Sequence, residues 1–139
     1  MMSQHGSSYV DDLTIGNDAP LWRRVPPWHF VFDENLGRSR PSKAAFEDHP
    51  DGSPMSVALG QEVLESGRTA ESVFEGYDRF GLASFTAGFA REKGQGVVRA
   101  PLPEEPAHAE VFGKKTEGVR RAFAKKCLWV VPPPTGGIG

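Results

Sequence analysis

The side chains best suited to chemistry in this 139-residue chain are His29, His108 and Ser42, together with Arg23, Arg24, Arg38 and Arg40. An imidazole takes up and returns a proton near neutral pH. Two imidazoles beside arginines could therefore act as acid and base on an RNA 2′-hydroxyl or a phosphoester, the arginines clamping the phosphate. His29 and His108 are far apart in sequence, and a lone histidine on a strand is more often packed or hydrogen-bonded than catalytic. The catalytic candidates are accordingly His29, His108 and Ser42, with no metal and no cofactor expected.

The segment Leu21–Asp48 concentrates arginine beside aromatic residues, and both types are enriched where a surface recognises something. Trp22, Arg23, Trp28, Arg38 and Arg40 are the binding candidates. Arg38 and Arg40 lie two apart and could face one anion, because the planar guanidinium pairs two oxygens of a carboxylate or phosphate. Arg23 and Arg24 are adjacent, so on a strand they point to opposite faces and only one can serve a shared site. The competing expectation is plain ion pairing with the nearby Asp33, Glu34, Glu47 and Asp48.

A third cluster is basic. Lys115, Arg120, Arg121 and Lys125 fall in or beside a helix expected at Glu117–Lys126 and could touch a phosphate backbone. A formal net charge of −2 argues against indiscriminate nucleic-acid binding and favours a solvated helix face. His108-Ala109-Glu110 matches the H-x-E of zinc deaminases, but the single Cys127 cannot supply the paired thiolates that chemistry needs. Gly94-x-Gly96 lacks the third glycine and the following helix of a dinucleotide fingerprint. Cys127 on an apolar helix face reads as core.

These residues need a scaffold. Twelve prolines and 16 glycines in a chain that is 38% hydrophobic argue for a loop-rich α+β fold. Strands are expected at Leu21–Val25, His29–Phe32, Met55–Leu59, Val97–Arg99, Ala107–Phe112 and Trp129–Val131, from alternation and β-branched or aromatic content. Asp33–Arg40 reads as a turn and loop, Lys43–Glu47 as a short helix capped by Ser42, and Ala70–Tyr77 as another short helix. Gly81–Phe89 fits a strand better than a helix. Residues 1–20 read as a flexible arm, 21–131 as the single domain, and 132–139 as a flexible Pro/Gly tail. No stretch has the make-up of a signal peptide or a membrane span, and one cysteine permits no intrachain disulfide, which suits the cytoplasm.

The segments LWRRVPP, RPSKAAF, PMSV and PLPEEPAHAEVFGKKT together resemble a family of small uncharacterised bacterial proteins with an LxRR…RPSxAAF…MSV…PxHAxVxG framework. The likeness runs from Leu21 to about Val131. Lys43 departs from a second serine expected after Ser42, which weakens a serine-pair site. The resemblance implies a bacterial origin and a single-domain unit, and it brings no site residue with it.

The expectation is a small, mostly antiparallel α+β domain with a few short helices, acting as a cytoplasmic accessory subunit. It would bind a protein partner through the Arg/Trp surface within a larger complex. The alternatives are a small metal-independent enzyme on RNA or a nucleotide phosphate, and a nucleic-acid binder using the basic helix. No membrane association is expected.

Overall fold

The computed structural model describes residues 9–133 apart from 75, 76 and 78. The fold is α+β, as its composition indicates. A six-stranded antiparallel sheet is built from β1 (Pro20–Val25), β4 (Met55–Leu59), β5 (Gly81–Thr86), β6 (Gly96–Arg99), β7 (His108–Phe112) and β8 (Leu128–Val131). Its order is β6-β7-β4-β1-β5-β8. A separate two-stranded hairpin pairs β2 (Phe30–Asp33) with β3 (Arg38–Pro41).

Alternation along the strands sorts the sheet into two faces. Leu21, Met55, Val57, Phe85, Ala109 and Val111 point to one side and are buried. They pack under the 3₁₀ helix Lys43–Phe46 and helix α3 (Glu117–Lys126). The centre of this layer is aromatic: Phe85 and Phe123 have ring centroids 4.5 Å apart, and Phe46 lies 6.1 and 5.7 Å from them. Edge and tilted contacts of this kind let large rings fill a core without voids. The other face presents Trp22, Arg24, Ser56, Ala58 and His108, and it positions the site.

Helix α3 forms where its pattern predicts. Thr116 caps it by accepting from Val119 N, Phe123 and Cys127 are buried, and Val119 packs against the core. Several local expectations change. Pro26 and Pro27 start a 3₁₀ turn, Pro27–His29, which delays the strand to Phe30. The expected loop 33–40 is mostly hairpin: Asp33 Oδ1 accepts from the backbone N–H of Asn35 and Leu36, and Gly37 supplies a φ of +70°. Ser42 makes no side-chain cap, and the helix after it is 3₁₀.

Gly81–Phe89 contains both of the weighed conformations in succession. β5 ends at Thr86, whose hydroxyl accepts from Phe89 N and starts helix α2 (Ala87–Glu92). Helix α1 (Gly60–Glu65), which follows β4 directly, is too short to leave a periodic signal.

Part of the expected arm is tied down. Arg91 Nε donates to both carboxylate oxygens of Asp11, Asp11 Oδ1 accepts from Val97 N, and Tyr9 stacks on Phe112 at 5.6 Å. Residues 1–8 and 134–139 of the expected arm and tail lie outside the described residues, and Pro133 is buried. Among the described residues, no helix is long and apolar enough to cross a membrane.

Candidate functional site

β1, β4 and β7 lie side by side and give the site its floor. The register pairs Trp22 with Ala58, Ala58 with His108, and Ser56 with Glu110. Ser56 and His108 are therefore diagonal neighbours on one face of adjacent strands, within reach of each other's side chains. The Nε2 of His108 lies 3.0 Å from Ser56 Oγ, and its Nδ1 lies 2.7 Å from the carbonyl oxygen of Ala100. His49, on the turn before β4, places its own Nε2 3.0 Å from the same Ser56 Oγ.

The Ala100 carbonyl can only accept, so His108 carries a proton on Nδ1. In the neutral ring Nε2 is then bare, and Ser56 donates its hydroxyl proton to it. Ser56 Oγ in turn accepts from His49 Nε2–H. The hydrogen bonds run in one direction, from His49 through Ser56 and His108 to the backbone.

Above this floor is a cleft of about 800 Å³. Trp28, Tyr77 and Phe80 form an aromatic wall, with Trp28 edge-on to Phe80 at 6.1 Å and Phe80 against Tyr77 at 5.2 Å. Arg24 lies over the Tyr77 ring, 4.1 Å from its centroid, and donates to the Val73 carbonyl at 3.3 Å. No carboxylate among the described residues is within ion-pair distance of Arg24. Also lining the cleft, Arg68 grips Glu105 with two hydrogen bonds of 2.7 and 2.8 Å. The hydrogen bond from Arg68 holds the Glu105 carboxyl below its usual range, and Ala107 N–H adds to the effect.

The structure separates the candidates proposed from sequence. His29 and Ser42 meet only through the backbone, Ser42 N donating to the His29 carbonyl at 2.7 Å. Burial pushes the His29 pKa down, and its Nδ1 is enclosed with no hydrogen-bond partner among the described residues. No described contact joins His29 to His108, whose ring turns to Ser56 instead.

Arg23 faces the core. It donates to the carbonyls of Ala45 and Ser56 at 3.0 and 2.8 Å, and burial lowers its pKa to about 10. Arg40 is paired with the buried Asp33 at 2.7 Å, and Arg38 donates to the Ser39 carbonyl at 3.5 Å. Trp22 is buried against α1, whereas Trp28 stands out on the rim of the cleft. Of the basic cluster, Lys115 pairs with Asp48, Arg120 with Glu47 and Arg121 with Glu117; Lys125 is exposed.

Tyr77 and Phe80 carry no functional signal in the sequence; Arg24 is among the arginines named above, whereas Ser56, without a nucleophile-elbow context, and His49, in a turn, are weak candidates on sequence grounds. One signal was available. Ser56 interrupts the otherwise apolar β4, and His108 and Glu110 alternate with apolar residues in β7, but the meeting of Ser56 with His108 depends on β4 pairing with β7. The chain matches no family model, no curated protein and no solved structure, so the resemblance noted above adds no residue role to this geometry.

Proposed function

We propose that this chain is a bacterial cytoplasmic accessory protein that binds a segment of a larger protein through its hairpin and the adjoining cleft. The observation carrying this reading is the exposure of two large aromatics within one short stretch: Trp28 is 75% and Phe32 67% accessible. Val31 and Leu36 extend the same exposed stretch. Clustered apolar exposure of this kind costs solubility and marks a surface that a partner covers.

The cleft continues the surface, since Trp28 belongs to both. The occupant that fits is a protein segment with an apolar side chain for the Trp28–Phe80–Tyr77 wall and a carboxylate for Arg24, which feels Glu105 at a distance but makes no direct ion pair among the described residues. The ion pairs made by Lys115, Arg120 and Arg121 weigh against a nucleic acid on the basic helix, because those charges are already neutralised within the chain. The resemblance to small bacterial proteins supports the origin, and a lone, buried Cys127 fits a reducing compartment.

The test compares capture of a partner from native extract by the wild-type chain and by Trp28→Ala/Phe32→Ser, with nuclease present. A stoichiometric protein retained by the wild type, released by Arg24→Ala, and lost at least about tenfold by the double variant at unchanged thermal midpoint is expected. Equal capture by all three chains overturns the reading.

A further inference from the structure

We infer that Ser56 is a nucleophile, activated by His108, and that the cleft above it takes carboxylic esters with an apolar or aromatic acyl group. The inference goes beyond partner binding: it uses the same cleft but requires no second protein.

Three features carry it. The Ser56 hydroxyl is 3.0 Å from His108 Nε2, the ring atom that is unprotonated when Nδ1 donates to the Ala100 carbonyl 2.7 Å away. That carbonyl occupies the place a carboxylate takes in serine hydrolases, fixing the tautomer and the ring orientation. His49 Nε2, 3.0 Å from Ser56 Oγ on its other side, donates a hydrogen bond that stabilises the oxygen as it loses its proton. Ser56 and His108 both line the 800 Å³ cleft, so the pair borders space that a substrate can enter. A serine that merely satisfied a buried histidine would need no such opening.

The reaction follows from these positions. Ser56 Oγ attacks the ester carbonyl carbon and forms a new C–O bond, its proton passing to His108 Nε2 while the carbonyl π pair moves onto oxygen. Arg24, in the same cleft, supplies positive charge for that oxyanion. The pair then returns, the bond to the leaving alkoxide breaks, and the alkoxide collects the proton from His108 and departs as the alcohol. Water, giving its own proton to His108, attacks the acyl-serine in the same way. The products are the free acid and a regenerated Ser56. His108 is the catalytic base, and His49 is a positioning residue acting through Ser56.

The test treats the purified full chain with a fluorophosphonate probe, in which Ser56 Oγ attacks phosphorus and fluoride leaves. Intact mass and peptide mapping should show one label, on Ser56. It should vanish in Ser56→Ala and slow by about 100-fold or more in His108→Gln at unchanged thermal midpoint. Phe32→Ser, an exposed position outside the cleft lining, should retain it, which separates this inference from the partner-binding reading. A second variant guards against misfolding of the alanine chain. In Ser56→Cys the only other thiol, Cys127, is buried, so iodoacetamide reports on position 56 alone. Its alkylation should fall at least about tenfold when His108→Gln is added, because the thiolate is the reactive form. Absence of label on the wild-type chain, or His108→Gln reacting at the wild-type rate, overturns the inference.

Discussion

Gly60 lies directly against the indole of Trp22. A Cβ placed on Gly60 would fall within 2.5 Å of Trp22 Nε1, inside any permitted contact. The first residue of α1 therefore has no side chain because β1 presents its largest one there. This contact seats α1 on the sheet and helps to hold the β1–β4 floor on which Ser56 lies. Gly60→Ala should destabilise the protein by about 1–3 kcal/mol, the cost of overpacking a rigid site. Gly16→Ala, with nothing within 4 Å of its added carbon, is the control and should lie within about 0.5 kcal/mol of wild type. Urea denaturation of both variants measures the difference, and equal midpoints would refute the packing argument.

Arg38 and Arg40 look alike in sequence but differ in what they hold. Arg40 Nε donates to Asp33 Oδ2 at 2.7 Å and its Nη1 to the Pro41 carbonyl at 2.8 Å, with Asp33 buried. Arg40→Ala leaves that carboxylate without its cation, at a cost of about 1–3 kcal/mol. Arg38→Ala should cost no more than about 0.5 kcal/mol. Thermal denaturation of the two single variants decides this. Any loss of partner capture in an Arg38→Ala/Arg40→Ala chain would therefore be confounded with a weakened hairpin.

Acid should unfold the protein through identifiable carboxylates. The Arg40 hydrogen bond holds Asp33, and the Arg68 hydrogen bond holds Glu105, below their ordinary pKa values. In the unfolded chain both titrate near about 4. Between the two values the unfolded state binds more protons, so the stabilisation is present above the ordinary pKa and is lost as pH falls through the depressed one. The thermal midpoint should be flat from neutrality to about pH 5 and drop below it. Glu105→Gln should flatten part of that drop; an identical pH profile would remove Glu105 from the account.

Asp11 anchors the segment before β1 to β6 and α2. Its carboxylate is shared between Arg91 and the backbone N–H of Val97. Asp11→Ala should release residues 9–19, seen as faster proteinase K cleavage there. The loss of global stability should be about 1 kcal/mol, since the pair is partly solvated. Wild-type cleavage rates would mean that the remaining tethers, among them Tyr9 on Phe112, Asp12 N–H on the Val97 carbonyl and Arg91 on Asn17, hold the segment without Asp11.

Elements whose signal is local were legible from the chain. Met55–Leu59 alternates and is β4; Glu117–Lys126 carries an apolar stripe at helical spacing and is α3. Arg23 and Arg24, adjacent on a strand, do point to opposite faces, one donating to core carbonyls and the other reaching the cleft. Where competing turn chemistry decides, the pattern misled: Pro26-Pro27 and the Asp33–Gly37 turn are each stable in more than one arrangement until the rest of the domain selects one.

What the sequence determined by itself was the fold class, the core helix, and the crowding of arginine and aromatic side chains into residues 21–48. Strand periodicity, proline content and helical spacing act over a few residues, so they can be read without knowing the neighbours. What only the tertiary structure decided was which of those side chains are spent. Arg23 and Arg40 are consumed inside the fold, while Arg24 and Trp28 reach the cleft. Ser56 meets His108 across 52 positions of chain. That meeting exists because β4 and β7 pair in one register, and pairing between distant strands is set by the burial of the whole sheet rather than by any residue along the way.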